Sequence, residues 1–366
     1  MAIPASPYKI RQVIPGTVYR IVRRLGAGGM GTVYEVEDTT IEKRYVVKTL
    51  HADLVRRADM VESLVAEAKI LAKLRHKNIV DVVTAGKTAD ELAIPYYVME
   101  KLDGANLRAL IGRGAMPFDH FHSIATDILE ALHFVHHPDG NRPIIIHRDL
   151  KPENVFLCLD VDRRAVAKVL DFGIMAVFDG KRQEGFFGTL RYAAPEQLRG
   201  DVLTPRTDLY AIALVFYEML AGRHPFADAR GESEIVQAQL FGTPPPLSSL
   251  VRVPPSVEAA IMRGLAKSPA DRPSDAYAFL QGIDDIRRVV RGISLDVSAR
   301  TDEMLDAALT TMVKAEGSPY TPYATSEVNR TDVGMTEPPL DGSEPRLAVG
   351  GDTLQEPARP VGLAPT

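Results

Sequence analysis

The chain has 366 residues, a formal charge of −5 at pH 7 and an isoelectric point near 6.0. That length holds a core of about 250 to 300 residues with chain to spare, and the mild acidity excludes the dense positive field that nucleic acid or an anionic membrane attracts. One cysteine, Cys158, excludes an internal disulfide and fits a reducing compartment.

The opening residues, MAIPASPYKIRQVIPG, lack the continuous apolar run of a secretory signal. The longest apolar run, LYAIALVFYEML from Leu209 to Leu220, is too short for a bilayer and carries Glu218, so it reads as a buried helix. The expectation is a soluble, cytoplasmic protein with neither nucleic acid nor membrane as partner.

Residues 1–16 read as an N-terminal extension. From 17 to 50 the chain alternates in the manner of strands, TVYRIVRRL, then TVYEVED and KRYVVKTL, with glycines between the first two marking a hairpin. Between Asp59 and Arg75, the residues Met60, Leu64, Ala68, Leu71 and Leu74 recur at helical spacing on one face. Strand-like stretches follow around Ile79 to Thr84 and Ile94 to Met99. Beyond Gly104 the pattern turns helical, in FHSIATDILEALHFVHH, TDLYAIALVFYEMLAG and VEAAIMRGLAKS, broken by Gly and Pro loops. The expected architecture is α+β and bilobal: a small sheet lobe with one main helix over 17–102, and a larger, mainly helical lobe over 103–290. A cleft between two lobes suits a ligand. Residues 291–366 are rich in Pro, Thr and Glu without sustained periodicity, and read as a disordered tail.

Four short stretches carry the chemistry. LGAGGMGTV, Leu25 to Val33, contains G-x-G-x-x-G between two strands, whereas a dinucleotide fingerprint leads from strand to helix. Glycines at 26, 28 and 31 admit backbone amides close to phosphate oxygens, the property of a lid over phosphates. Lys48 ends the strand YVVK, and Glu67 lies on the following helix. A lysine aimed at phosphates needs such an anion to hold its ammonium. HRDLKPEN, His147 to Asn154, sets Asp149, Lys151 and Asn154 at the end of an apolar run. After one more strand-like segment comes DFG at Asp171. Phosphoryl transfer asks for positioned magnesium, a cationic clamp and a carboxylate that orients the acceptor. Asp149 can accept a hydroxyl proton, Lys151 can neutralise the moving phosphoryl group, and Asn154 with Asp171 offers oxygen to magnesium.

Together with VVK, the glutamate of AEAKIL, and APE, these stretches resemble a eukaryotic-type Ser/Thr protein kinase, over roughly residues 19 to 287. LGAGGMG, HKNIV, YYVMEKLDG and AAPEQ are similar to the bacterial branch. The resemblance implies ATP and Mg2+ as cofactors and proteins with Ser/Thr acceptors as partners, including possible self-phosphorylation of the C-terminal tail. It places Leu25, Gly26, Ala27, Gly28, Gly29, Met30, Gly31, Thr32 and Val33 over ATP, with Val46 among the nucleotide-binding residues. Lys48 falls on the α- and β-phosphates, with Glu67 as its helix partner. Met99 guards the back of the adenine pocket, and Glu100 and Leu102 form the hinge. Asp149 corresponds to the catalytic base, Lys151 to the γ-phosphate contact, and Asn154 and Asp171 to the metal ligands. Glu196 pairs with Arg272, and Asp208 braces the catalytic loop. Lys151 with Thr189 resembles Ser/Thr specificity.

Three departures stand out. DFGIMAVFDGKRQEGFFGT offers no Ser, Thr or Tyr before Thr189, so the phosphate that Arg148 meets in many relatives is missing; Glu184 reads as a permanent substitute or as a solvated charge. The segment before the catalytic loop, HHPDGNRPIII, is long, and His133, His136 and His137 at helical spacing read as ordinary helix-end residues rather than a metal site. Ala213 and Leu190 replace residues usual in the family and leave the flanking preference open. Two rivals come from other classes. A catalytically silent scaffold need keep none of Lys48, Glu67, Asp149, Asn154 and Asp171, and a small-molecule kinase sits poorly with Glu196, Asp208 and Arg272.

Overall fold

Alternation near the N-terminus resolves into β1 (Tyr19–Ala27), β2 (Gly31–Asp38) and β3 (Arg44–Leu50), consecutive antiparallel neighbours. A computed structural model describes residues 7–28, 30–139, 143–160, 165–172, 176–177 and 188–290, all within the first of two units, 1–330 and 331–366. Helix α1 (Ala58–Leu71) is followed by β4 (Val82–Lys87) and β5 (Pro95–Glu100), completing a five-stranded sheet in the order β1-β2-β3-β5-β4. The α1 stripe of Met60, Leu64, Ala68 and Leu71 is buried as its spacing predicts, and Glu67 is buried beside it. A carboxylate there costs free energy unless it is paired. Strand β4 begins at Val82 rather than Ile79, because Ile79 bridges to Val169 and the Val80 amide donates to the Val169 carbonyl at 3.2 Å. Ahead of the sheet, Ile14 is buried and the Tyr8 hydroxyl donates to Asp90 at 2.9 Å.

The remainder is mainly helical. In chain order come β6 (Gly104–Asn106), α2 (Leu107–Ile111), α3 (Phe118–His136), β7 (Ile145–Ile146), β8 (Val155–Leu159), β9 (Ala165–Val169) and β10 (Ala176–Val177). Then follow α4 (Pro195–Arg199), α5 (Pro205–Ala221), α6 (Gly231–Phe241), α7 (Pro255–Gly264) and α8 (Ala276–Val290). Two small sheets, β6-β8-β9 and β7-β10, sit where the sheet lobe gives way to the helices. Every α5 residue from Thr207 to Leu220 is buried, which is why its sequence is apolar all round rather than striped. Pro205 opens it and Gly222, at φ +68, closes it in the left-handed conformation. Ala213 is small for a packing reason: a Cβ on Gly264 of α7 would lie 2.7 Å from the Ala213 Cβ. Cys158 on β8 is 4% exposed, and burial pushes its thiol up to about 11, so it behaves as core.

Two polar groups brace the helical lobe from inside. Arg272, fully buried, donates to both Glu196 oxygens at 2.6 and 2.8 Å and to the carbonyls of Ala266, Arg206 and Lys267. His224 is buried against Tyr192 and accepts from the Phe226 amide through Nδ1. Burial, and then the nearby Arg191 cation, lower its pKa to about 3. The folded ring therefore stays neutral where an unfolded one takes a proton, so its contribution is complete above pH 6.5 and erodes as pH falls toward 3. By pH 5 the loss is about 2 kcal/mol. Thermal midpoints measured from pH 7 to 5 should fall less steeply for His224→Gln than for wild type; parallel curves would contradict the assignment.

Candidate active site

Strand register brings together the residues expected to bind the nucleotide. Gly26 pairs with Val33, Val33 with Lys48, Lys48 with Tyr97, and Val46 with Met99. Leu25, Val33, Val46, Met99 and Leu102 are all buried. The β1–β2 hairpin is tight: the Gly28 amide donates to the Gly31 carbonyl at 2.9 Å, and Ala27 pairs with Thr32. Gly29 lies outside the described residues. Gly31 needs its glycine for a different reason from phosphate access, since a Cβ there would meet the Thr49 carbonyl oxygen at 2.0 Å. His51 braces the hairpin from the end of β3. Its amide donates to the Met30 carbonyl, and its Nε2 donates to the Gly28 carbonyl at 2.6 Å. The Glu100 carboxylate is held by Lys168 at 2.7 Å and by the Asp81 amide at 3.0 Å.

Lys48 is the junction of the site. Its Nζ lies 3.0 Å from Glu67 Oε1 and 3.0 Å from Asp171 Oδ1, so the helix, the sheet and the DFG segment meet at one ammonium. Burial opposes that charge, but the Asp171 and Glu67 carboxylates outweigh it and raise the lysine well above its ordinary value. Tyr97 also donates to Glu67 Oε1, at 2.7 Å. Asp171 and Arg148 hold φ values of +48 and +68, backbone conformations that non-glycine residues adopt at a cost of about 1 to 3 kcal/mol and that cluster where position matters.

The stretch HRDLKPEN forms a second hydrogen-bonded group. Thr189 Oγ1 donates to Asp149 Oδ1 at 2.9 Å, and Lys151 Nζ lies 3.0 Å from Thr189 Oγ1 and 3.2 Å from Asp149 Oδ2. Asn154 Nδ2 donates to the Asp149 carbonyl at 2.8 Å, which leaves its amide oxygen as the atom to offer a cation. The two groups are tied by the backbone: the Leu170 amide, next to Asp171, donates to the Asn154 carbonyl at 2.8 Å. His147 spans the same gap, donating from Nε2 to the Leu170 carbonyl and packing 4.6 Å from the Phe172 ring.

Asp208 of α5 supports this loop from beneath. Its carboxylate accepts from the amides of His147 and Arg148 at 2.8 and 2.9 Å, and from His136 Nε2 at 2.8 Å. Burial would raise its pKa, yet these donors, His136 foremost, lower it. His136 is therefore no ordinary helix-end histidine: α3 turns it inward as a brace. His137 instead turns back on its own helix, where its Nδ1 donates to the His133 carbonyl.

Sequence reasoning also missed Tyr97, His51 and a polar cluster beside Glu153 of the loop. There Arg108 donates to Glu153 at 2.8 Å and to Glu218 at 2.7 Å, and the Tyr192 hydroxyl donates to Glu218 at 2.6 Å. The opposing alternation of β3 and β5 could have revealed Tyr97; nothing local in sequence announces the others. Leu190 opens a single 3-10 turn, Leu190–Tyr192, beside Thr189. Glu184, Gly173 and part of the long segment before the catalytic loop lie outside the described residues.

Among the described residues, no group of three or more His, Cys, Asp or Glu side chains is placed to hold a metal by itself. A carboxylate from Asp171 and an amide oxygen from Asn154 suit magnesium, a hard cation that commonly completes its shell with substrate phosphates and water. The donor chemistry thus fits MgATP rather than a closed protein cage.

Comparison with known proteins shows the family. The protein kinase domain model matches residues 19–282, and the chain belongs to that family. It is 38% identical over 290 residues to the serine/threonine-protein kinase Pkn1 of Myxococcus xanthus, covering 77% of this chain and 39% of that protein. It is 32% identical over 311 residues to serine/threonine-protein kinase A of a Synechocystis species, covering 82% and 60%. The crystal structure of the Mycobacterium tuberculosis PknI kinase domain superposes with a TM-score of 0.57 at 23% identity, over 76% of this chain and 99% of that one, a likeness of fold. Kinases of this family use ATP and Mg2+. The chain spans 39% and 60% of the length of these two curated relatives. Among the described residues no helix is long and apolar enough to cross a membrane.

Proposed function

We propose that the chain transfers the γ-phosphoryl group of MgATP to Ser or Thr hydroxyls of proteins, its own included, in bacterial signalling. The observation that carries this reading is the engagement of Asp149 and Lys151 with the Thr189 hydroxyl, an alcohol already bonded to the carboxylate and ammonium that the reaction needs. Asp149 orients the acceptor oxygen and takes its proton as the new O–P bond forms and the bond to the ADP oxygen breaks. Lys151 offsets the charge on the moving phosphoryl group. Lys48, steadied by Glu67, holds the α- and β-phosphates, and Asn154 and Asp171 would hold the magnesium that MgATP brings. The hairpin from Leu25 to Val33 covers the phosphates, while Val46, Met99, Glu100 and Leu102 receive the adenine. On this reading residues 17–102 serve the nucleotide and 103–290 the acceptor, in the cytoplasm, where ATP is held.

Incubation with γ-labelled ATP and a generic protein acceptor tests the reading. Label recovered as phosphoserine or phosphothreonine supports it. Label only on a small metabolite, or none, favours the rival classes. Lys48→Met should lower the rate about 10² to 10³-fold, the usual cost of losing one preorganised cationic or hydrogen-bonding group; near-normal turnover would remove Lys48 from its role. Thr301, Thr321, Thr325, Thr331 and Thr336 are proposed acceptors on the tail, which lies outside the described residues. A tethered acceptor has a high effective concentration, and phosphopeptide mapping of active enzyme decides whether they are used.

A further inference from the structure

Glu67 is the one charged side chain on the buried face of α1, and its carboxylate is held from two directions. Lys48 approaches Oε1 at 3.0 Å from β3, and the Tyr97 hydroxyl donates to the same oxygen at 2.7 Å from β5. Tyr97 stands directly opposite Lys48 in the antiparallel register, which places both side chains on one face of the sheet, and the ammonium lies 5.7 Å from the centre of the phenol ring. Both are almost wholly buried. Burial, and then the Glu67 carboxylate, raise the phenol well above its ordinary value, so it remains a donor.

The two holders are not equivalent. Lys48 also binds Asp171 at 3.0 Å, and in the reaction proposed above it must turn toward phosphate oxygens. Tyr97 has no such second duty. The N-cap residue of α1 makes no side-chain cap, and the other residues on its buried face, Met60, Leu64, Ala68 and Leu71, are apolar. Residues 172–188 contain no Ser, Thr or Tyr, so phosphorylation of that segment is not available to fix α1.

We infer that Tyr97 is a positioning residue whose hydroxyl latches Glu67, and with it α1, in the productive place without phosphorylation of residues 172–188. This inference rests on the kinase reading. The latch frees Lys48 to move between Asp171 and the nucleotide while Glu67 stays where the lysine returns.

The test uses the full chain and Tyr97→Phe, which removes one oxygen and keeps the ring. Loss of a hydrogen bond to a charged group predicts roughly 10-fold or greater weakening of kcat/KM for ATP. Backbone hydrogen exchange over 58–71 should quicken by a similar factor, with β1 and β2 unchanged and the thermal midpoint lowered by about 3 to 6 °C at most. In a Glu67→Ala background the same substitution should change neither quantity, because the partner of the hydroxyl is gone. Unchanged exchange over 58–71 in Tyr97→Phe overturns the latch whatever the activity does. So do equal effects in both backgrounds. If wild type transfers no phosphate at all, the kinase reading falls and the exchange comparison still decides the latch.

Discussion

Asp149→Asn should cripple phosphate transfer while ADP still binds. The substitution preserves shape and keeps an oxygen to accept from Thr189 Oγ1, now 2.9 Å away, but it cannot take up the acceptor proton and it strips Lys151 of its anion at 3.2 Å. General-base catalysis commonly contributes about 10² to 10⁴ in rate, so label transfer should fall by at least the lower figure. The contacts of Lys48 with Glu67 and Asp171 do not pass through this carboxylate, and Asn154 keeps its 2.8 Å bond to the Asp149 carbonyl. Calorimetric titration with ADP should therefore give an affinity close to wild type. Transfer at a near-normal rate would mean that Asp149 is not the base, and lost ADP binding would mean that the variant reports damage rather than chemistry.

The largest effect on stability is expected at Arg272. Truncation to Ala leaves Glu196 as an uncompensated buried anion and takes the donor from three backbone carbonyls, those of Ala266, Arg206 and Lys267. Breaking a buried ion pair by removing one partner costs about 3 to 5 kcal/mol, which for a domain of this size lowers the thermal midpoint by about 10 °C. Lys267 responds in the opposite sense. Burial, and then the neighbouring Arg272 cation, lower its pKa to about 8, so the variant should hold the Lys267 proton more tightly. Apolar replacement of both partners, Arg272→Met with Glu196→Leu, should recover part of the loss and not all of it, because the bonds from the guanidinium to the three carbonyls stay lost. Differential scanning calorimetry of the single and double variants checks the ordering. A midpoint within a degree or two of wild type for Arg272→Ala would show that water reaches Glu196.

How much of this was legible beforehand follows from how locally each feature is encoded. The stretch from His147 to Asn154 carries its functional groups within a few residues of one another, and its geometry is made largely by its own backbone, so reading it in line finds Asp149, Lys151 and Asn154 together. Helix α5 was legible because an all-round apolar run of that length has few other homes. By contrast α6 buries only Gln239, leaving no stripe to read. The start of β4 was misplaced because Ile79 and Val80 have strand-like side chains whose backbone partner, Val169, lies far along the chain. His136 belongs to the same class: its helical spacing with His133 and His137 is local, while the Asp208 that turns it inward comes from another helix. The pairing of Tyr97 with Glu67 depends on the register of β3 against β5 and on the pitch of α1, three things no single stretch specifies. The reason for Gly31 was likewise hidden, since the obstacle is the carbonyl of Thr49 on the next strand.

The sealed position of Cys158 has a practical corollary. Its thiol is shielded by β-sheet and held protonated at neutral pH, and the chain contains no tryptophan. A maleimide dye or a lone indole introduced on the outer surface of α1 therefore reports against a dark, unreactive background, so the surroundings of that helix can be followed optically without first stripping native residues.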